Sequence, residues 1–212
     1  ALQCSLHGEV LAGPIHSAYG RFSEQPPSAD EFHRCAEVLR AAGERCKPLG
    51  VRLAVEPLTG SAHFLNTAAA CASLVRAVGH PNVVGALDTH HAHLEENDLI
   101  DAVHAMLGTL GRVQLSENHR GTPGTGQVDF VGVLQALRTI DYRGWLVVEA
   151  FSRCDPAFGS ALRRFFANSS YCERCASSAI TTMSSRVESV GYRPPVTSVE
   201  NFWISVKTWR WS

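Results

Sequence analysis

The sequence predicts an α/β fold, a sheet of parallel strands with helices packed outside it. Short apolar runs alternate with segments of helical period in a repeating strand-helix order. Four of these runs end on a side chain able to bind a cation: Glu56 after VRLAV, Asp88 after VVGAL, Gln114 after RV and Glu149 after WLVV. The intervals are 32 residues from Glu56 to Asp88, 26 from there to Gln114 and 35 on to Glu149, and each fits one strand-helix unit. A buried strand stays apolar until its end, so an acid or amide there points out of the sheet. In barrels of parallel strands that end is where chemistry sits. Three carboxylates and an amide oxygen converging there would make a site for a hard cation.

Each element has a local reason. EVLAGPIHS, from Glu9 to Ser17, reads as a strand running into a loop. Ser28 followed by Glu31 is a capping-box signature for a helix burying Phe32, Cys35, Leu39, Ala42 and Cys46. VRLAVE is the second strand. Thr67 caps a helix through Val78, with Leu74, Val75 and Val78 on one face and Gly79 as its stop. After the strand NVVGALD, Asn97 caps a helix carrying Ile100, Val103, His104 and Leu107. RVQLSE is the fourth strand. Asp129 opens a helix with Val133, Leu134 and Leu137 inward, and Trp145 to Glu149 is the fifth strand. Asp155, with Pro156 at the first helical position, starts a last helix to about Phe166.

Composition narrows the function classes. A formal charge of −1 supplies no field to attract nucleic acid or an anionic membrane. No apolar run approaches the ~20 residues of a membrane span, and no basic and apolar leader opens the chain. The seven cysteines are scattered and odd in number, which suits buried thiols in a reducing cytoplasm better than a disulfide framework. Cys172 and Cys175 form a CxxC, but no second pair stands at zinc spacing. GTPGTG, from Gly121 to Gly126, lacks the Lys-Ser/Thr ending of a phosphate loop and reads as a tight turn that brings Arg120 over the site.

The strings AGPIHSAYGRF, LAVEPL, FLNTAAA, VRAVGHPNVVGALDTHH, LSENHRGTPGTGQVDF and GWLVVEAFSR, in that order, resemble the sugar phosphate isomerase/epimerase family. That family includes ketose 3-epimerases of the D-tagatose and D-psicose type and other xylose isomerase-like barrels. The resemblance runs from about Val10 to Phe166. It implies a (β/α)8 TIM barrel, here an N-terminally truncated part holding strands four to eight, whose open edges would leave it marginal or prone to form a homo-oligomer. It also implies one divalent metal ion, Mn, Mg or Co, held by Glu56, Asp88, Gln114 and Glu149. Ketose 3-epimerases place a His in the HxHL motif where this chain reads Arg112, Val113, Gln114, Leu115; related hydroxypyruvate isomerases place a Gln there.

By the same resemblance Glu56 and Glu149 are the catalytic acid/base pair, and His91 and Arg120 bind substrate oxygens. Moving a proton on and off the carbon beside a ketone needs a base on one face, an acid on the other and a Lewis acid for the enediolate oxygen. The expected function is therefore that of a metal-dependent sugar isomerase or epimerase acting at C3 of a ketose. The alternatives are hydroxypyruvate isomerase-like chemistry, favoured by Gln114, and an inactive barrel remnant. A substrate-loop Glu of the family is replaced by Ala62, leaving the sugar open, and His16 is a further side chain that could face the pocket. The partner is a small sugar, with neither nucleic acid nor membrane. Residues 1–168 form the partial barrel; 169–212, rich in Ser and Thr and without helical period, form an atypical tail with weak strand signal in VTSVENFWISVKTW.

Overall fold

The computed structural model describes residues 5–7, 9–18, 20–22, 24–60, 64–150 and 202–207, the first and last of these segments as backbone only. Seven strands form one sheet in chain order. The antiparallel pair β1 (Ser5–His7) and β2 (Val10–Gly13) begins it. From β2 the sheet continues in parallel through β3 (Arg52–Val55), β4 (Val83–Asp88), β5 (Leu110–Leu115) and β6 (Trp145–Ala150). These five parallel strands are the ones read from the sequence. Antiparallel to β6 lies β7 (Phe202–Lys207), within the stretch read as a tail; the rest of that tail and the helix expected after Asp155 lie outside the described residues.

The helices are α1 (Ala29–Cys46), α2 (Ala68–Val78), α3 (Thr89–Glu95), α4 (Leu99–Ala105) and α5 (Phe130–Thr139). The capping box is present: the Ser28 hydroxyl accepts from the Glu31 amide at 3.2 Å, and the Glu31 carboxylate accepts from the Ser28 amide at 2.8 Å. Thr67 caps α2, and Gly79 ends it at φ 61°, a left-handed conformation glycine adopts without strain. Two details differ from expectation. Asp98, not Asn97, caps α4, accepting from the amides of Ile100 at 2.7 Å and Asp101 at 3.0 Å. Leu99, Ala102, Val103 and Met106 face inward, and His104 and Leu107 are exposed. In addition THHAHLE, for which the sequence reading gives no helix, is helix α3, because Asp88 at the end of β4 also caps it by accepting from the His90 amide at 2.8 Å.

Alternation along the strands divides the apolar side chains into two cores. The larger one lies between the sheet and the helices; the smaller one, on the opposite face, gathers Val10, Ala12, Ala54 and Ala86 with Val84 and Trp145. Pairing passes from Gly85↔Leu110 directly to Ala86↔Arg112, so Gly111 is an extra residue in β5. This bulge leaves Leu110 and Val113 with the helix-side core and turns Arg112 and Gln114 to the alanine-lined face. Among the described residues no helix is long and apolar enough to cross a membrane.

A Cβ on Gly111 would run into the branched, stiff Val84. Gly111→Ala should therefore destabilise the chain by about 1–3 kcal/mol, read as a lower urea midpoint, whereas an unchanged midpoint would show that the bulge tolerates a side chain.

Candidate metal centre and acid/base site

The parallel strands deliver their polar ends to one place. Glu56 directly follows β3, Asp88 is the last residue of β4, and Gln114 and Glu149 are the penultimate residues of β5 and β6. All four are almost completely buried. The Gln114 amide nitrogen stands between two carboxylates, donating to Glu56 Oε1 at 3.1 Å and to Glu149 Oε2 at 2.6 Å. Its amide oxygen is buried and has no hydrogen-bond partner among the described residues. Two carboxylates side by side need a donor between them, so the nitrogen rather than the expected oxygen faces them; a half-turn of the amide exchanges the two.

Arg120 closes the site from the β5–α5 loop. One guanidinium nitrogen donates to Asp88 Oδ2 at 2.6 Å and to Ser116 Oγ at 2.9 Å, and lies 3.4 Å from Glu149 Oε2. Another lies 2.9 Å from His91 Nε2, whose partner nitrogen Nδ1 accepts from the Thr59 amide at 3.2 Å. His91, expected as a substrate-binding residue, also presents a ring nitrogen within 4.8 Å of ligand oxygens of Glu56 and Asp88. Burial pulls the imidazole down to about 4 against the opposing charge of Asp88, so His91 is a neutral group and its 3.8 Å approach to Asp88 is no ion pair. His16 is elsewhere: buried edge-on to Phe64, it lines a separate cleft of about 440 Å³ beside α1. Ala62 lies outside the described residues.

Charge in so little space sets the protonation states. Burial first, then the Asp88 charge, raise the proton affinity of both Glu56 and Glu149, with Gln114, Arg112 and Arg120 countering at Glu56 and Arg120 at Glu149. Burial acts in the same sense on Asp88, but its neighbours, Arg120 first among them, outweigh it and hold that carboxylate below its ordinary range. A hydrogen bond between Glu149 and Asp88 works in the same direction, favouring the proton on Glu149 and the charge on Asp88.

Two residues of this site were not singled out from the sequence. Arg112, fully buried on the same face of β5 as Gln114, puts a guanidinium beneath the carboxylates; the two-residue interval from Gln114 is the signal that would have found it. Glu117, also fully buried, holds the loop that carries Arg120. The donor set fits a hard divalent cation: Glu56 and Glu149 flank an amide whose oxygen has no hydrogen-bond partner among the described residues, and Asp88 offers a ligand atom within 4.8 Å of one of Glu56.

Fold and site together define a class of parallel-barrel proteins with polar side chains gathered at the strand ends. The chain belongs to the xylose isomerase-like TIM barrel family, which it matches over residues 5–166. It is 33% identical over 153 residues to an L-ribulose 3-epimerase of Mesorhizobium japonicum, covering 72% of this chain and 51% of that protein. A D-psicose 3-epimerase of Agrobacterium fabrum is 32% identical over 156 residues, covering 73% and 54%. A crystal structure of D-psicose 3-epimerase in the presence of D-fructose superposes with a TM-score of 0.64 at 31% identity, again covering 73% and 54% of the two chains. The chain thus spans about half the length of these relatives.

Stability should fall with rising pH when chelator is present. Above the ordinary carboxyl value of 4.5 the unfolded chain has released the protons that folded Glu56 and Glu149 keep until about 8 and about 9. The folded state then binds more protons than the unfolded one, and each group removes up to ~1.4 kcal/mol per pH unit across that window. Thermal unfolding in EDTA from about pH 5 to about pH 9 should show a declining Tm, with a shallower decline for Glu149→Gln. A flat profile would mean that both carboxyls ionise freely.

Proposed function

We propose that this chain carries the acid/base and metal-binding half of a sugar epimerase, which moves a proton at C3 of a ketose through an enediolate. The observation that carries this reading is the Gln114 amide held between Glu56 and Glu149, because it brings two proton-retaining carboxyls from separated strands to one point. The relatives named as ketose 3-epimerases support it. Glu56, Asp88, Gln114 and Glu149 would hold the divalent cation, Mn, Mg or Co, with His91 near enough to join them. Bound there, the cation would act as a Lewis acid on the substrate's carbonyl and neighbouring hydroxyl.

The chain's own groups supply the proton transfers. One carboxylate, Glu56 or Glu149, takes the proton from C3 while the C–H electron pair moves toward the C2 carbonyl. The other, bearing a proton, returns one to the opposite face of C3 and inverts it. Their raised proton affinities suit both roles, since a general acid or base works best when its pKa lies near the working pH. Arg120 donates hydrogen bonds to substrate oxygens; His91, whose Nδ1 already accepts from the Thr59 amide, does so through Nε2 when that nitrogen is not taken up by the cation. The buried Arg112 stays beneath them as a fixed positive charge.

Gln114 favours a second reading, turnover of hydroxypyruvate, because related hydroxypyruvate isomerases place Gln at this strand end. A neutral amide is also a poorer ligand for Mn than imidazole. Calorimetric titration should show Mn binding to the 212-residue chain, tightened on the order of tenfold by Gln114→His; unchanged affinity would remove Gln114 from the ligand set. Deuterium exchange at C3 of D-fructose, D-tagatose or L-ribulose, assayed with Mn on this chain and on any longer product of the same coding region, should drop by about a hundredfold or more in Glu149→Gln. Turnover of hydroxypyruvate without ketose exchange would move the function to the second reading, and exchange unaffected by Glu149→Gln would sink the acid/base assignment.

A further inference from the structure

We infer that Glu117 is a positioning residue: its buried carboxylate gathers the backbone amides of the glycine-rich β5–α5 loop and thereby fixes Arg120 over Asp88 and Glu149. The inference rests on the proposed reading only for what Arg120 does to a substrate; the positioning itself is a matter of geometry.

Glu117 is fully buried, yet it belongs to neither the ligand set nor the acid/base pair. Its Oε1 accepts from the amides of Gly124 at 2.9 Å and Gly126 at 3.0 Å, and its Oε2 from those of Asn118 at 3.1 Å and Val128 at 3.4 Å. Four amides converging on one carboxylate form a charge-assisted anchor far stronger than an ordinary turn. The loop composition follows from it. A Cβ at Gly126 would run into the Glu117 carboxylate and the Asn118 side chain, and Gly124 sits at φ 85°. The Asn118 side-chain oxygen accepts from the Gln127 amide at 3.0 Å and ties the far end of the loop to its start.

Arg120 lies inside this wrapped segment. Its amide donates to the Glu117 carbonyl at 3.0 Å, and its φ of 58° places it in the left-handed region that a non-glycine residue occupies only when held there. His90 Nδ1 stands 3.1 Å from the same Glu117 carbonyl, so α3, which begins at the metal-ligand candidate Asp88, is tied to the same point. Glu117 therefore sets the backbone from which the guanidinium reaches Asp88 and Glu149.

The test follows Arg120 directly. In the unaltered chain the amides of Gly124 and Gly126, although their residues are exposed, should exchange hydrogen at least roughly tenfold more slowly than in an open peptide; peptide-like rates would overturn the anchor even if no variant folded. In the variants, modification by phenylglyoxal, mapped by mass spectrometry, reports how firmly each arginine is held. Asp88→Asn should raise the Arg120 rate and so establish that the probe senses the ion pair. Glu117→Ala should raise it by about tenfold, Glu117→Gln by less because one acceptor oxygen remains, and Gly126→Ala should raise it with Glu117 intact, all while Arg76 and Arg138 keep their rates. An unchanged Arg120 rate in folded variants, or an equal rise at all three arginines, would overturn the inference. Failure of the proposed function would appear instead as absent Mn binding and sugar exchange with Arg120 still held by Glu117.

Discussion

The structure turns on one constraint: three carboxyl groups are brought together where there is almost no water to screen them. Glu56, Asp88 and Glu149 cannot all be ionised at close range in such surroundings unless positive charge or protons compensate. The chain uses both. Arg112 and Arg120 supply two guanidiniums, Gln114 supplies a double donor, and Glu56 and Glu149 retain protons that an exposed glutamate would release. A dication at this point would take over the compensation and expel those protons, so its affinity would rise with pH.

The sheet is built to make this convergence possible. Parallel strands point all their carboxyl ends the same way, and the pleat decides which side chains reach the inner face. Ala12, Ala54 and Ala86 keep that face shallow enough for Arg112 and Gln114 to lie along it, and the bulge at Gly111 is what turns these two inward. Were β5 paired regularly through Gly111, alternation from Leu110 would present Gly111 and Val113 to the carboxylates and send the Gln114 amide into the helix-side core. The larger core between sheet and helices holds the strands in register, so apolar packing on one face pins the polar geometry on the other.

Much of this was legible from sequence because burial writes a simple pattern. The apolar runs before Glu56, Asp88 and Glu149 announced strand ends, and the caps at Ser28, Thr67 and Asp129 announced helix starts that the structure contains. Helix α3 was missed because three histidines in seven residues leave no apolar stripe, and its start depends on Asp88 acting as strand end and cap together. The Asn97 and Asp98 ambiguity is one between adjacent residues with nearly equal capping ability, which tertiary packing of Leu99 and Ala102 resolves. Arg112 was passed over because charge within an apolar run resembles an interruption, when the run here faces a polar interior. The orientation of the Gln114 amide is beyond any sequence pattern, since it follows from which neighbours happen to be acceptors.

The two guanidiniums differ in what holds them, and that difference bears on how such a site can work. Arg112 is fixed to a strand, so its charge stays beneath the carboxylates whatever binds above. Arg120 is carried by a loop whose backbone is fastened through Glu117 while its side chain reaches across to Asp88, Glu149 and His91. A cation entering among those oxygens would compete with the guanidinium for Asp88, and a substrate oxygen would offer it another acceptor within reach. The anchored backbone limits how far Arg120 can move in that exchange, so it would be handed from carboxylate to substrate by side-chain rotation rather than by opening the loop. On the proposed reading, the long arginine side chain and the tightly wrapped glycine loop are therefore one device: the loop fixes the pivot, and the side chain supplies the reach.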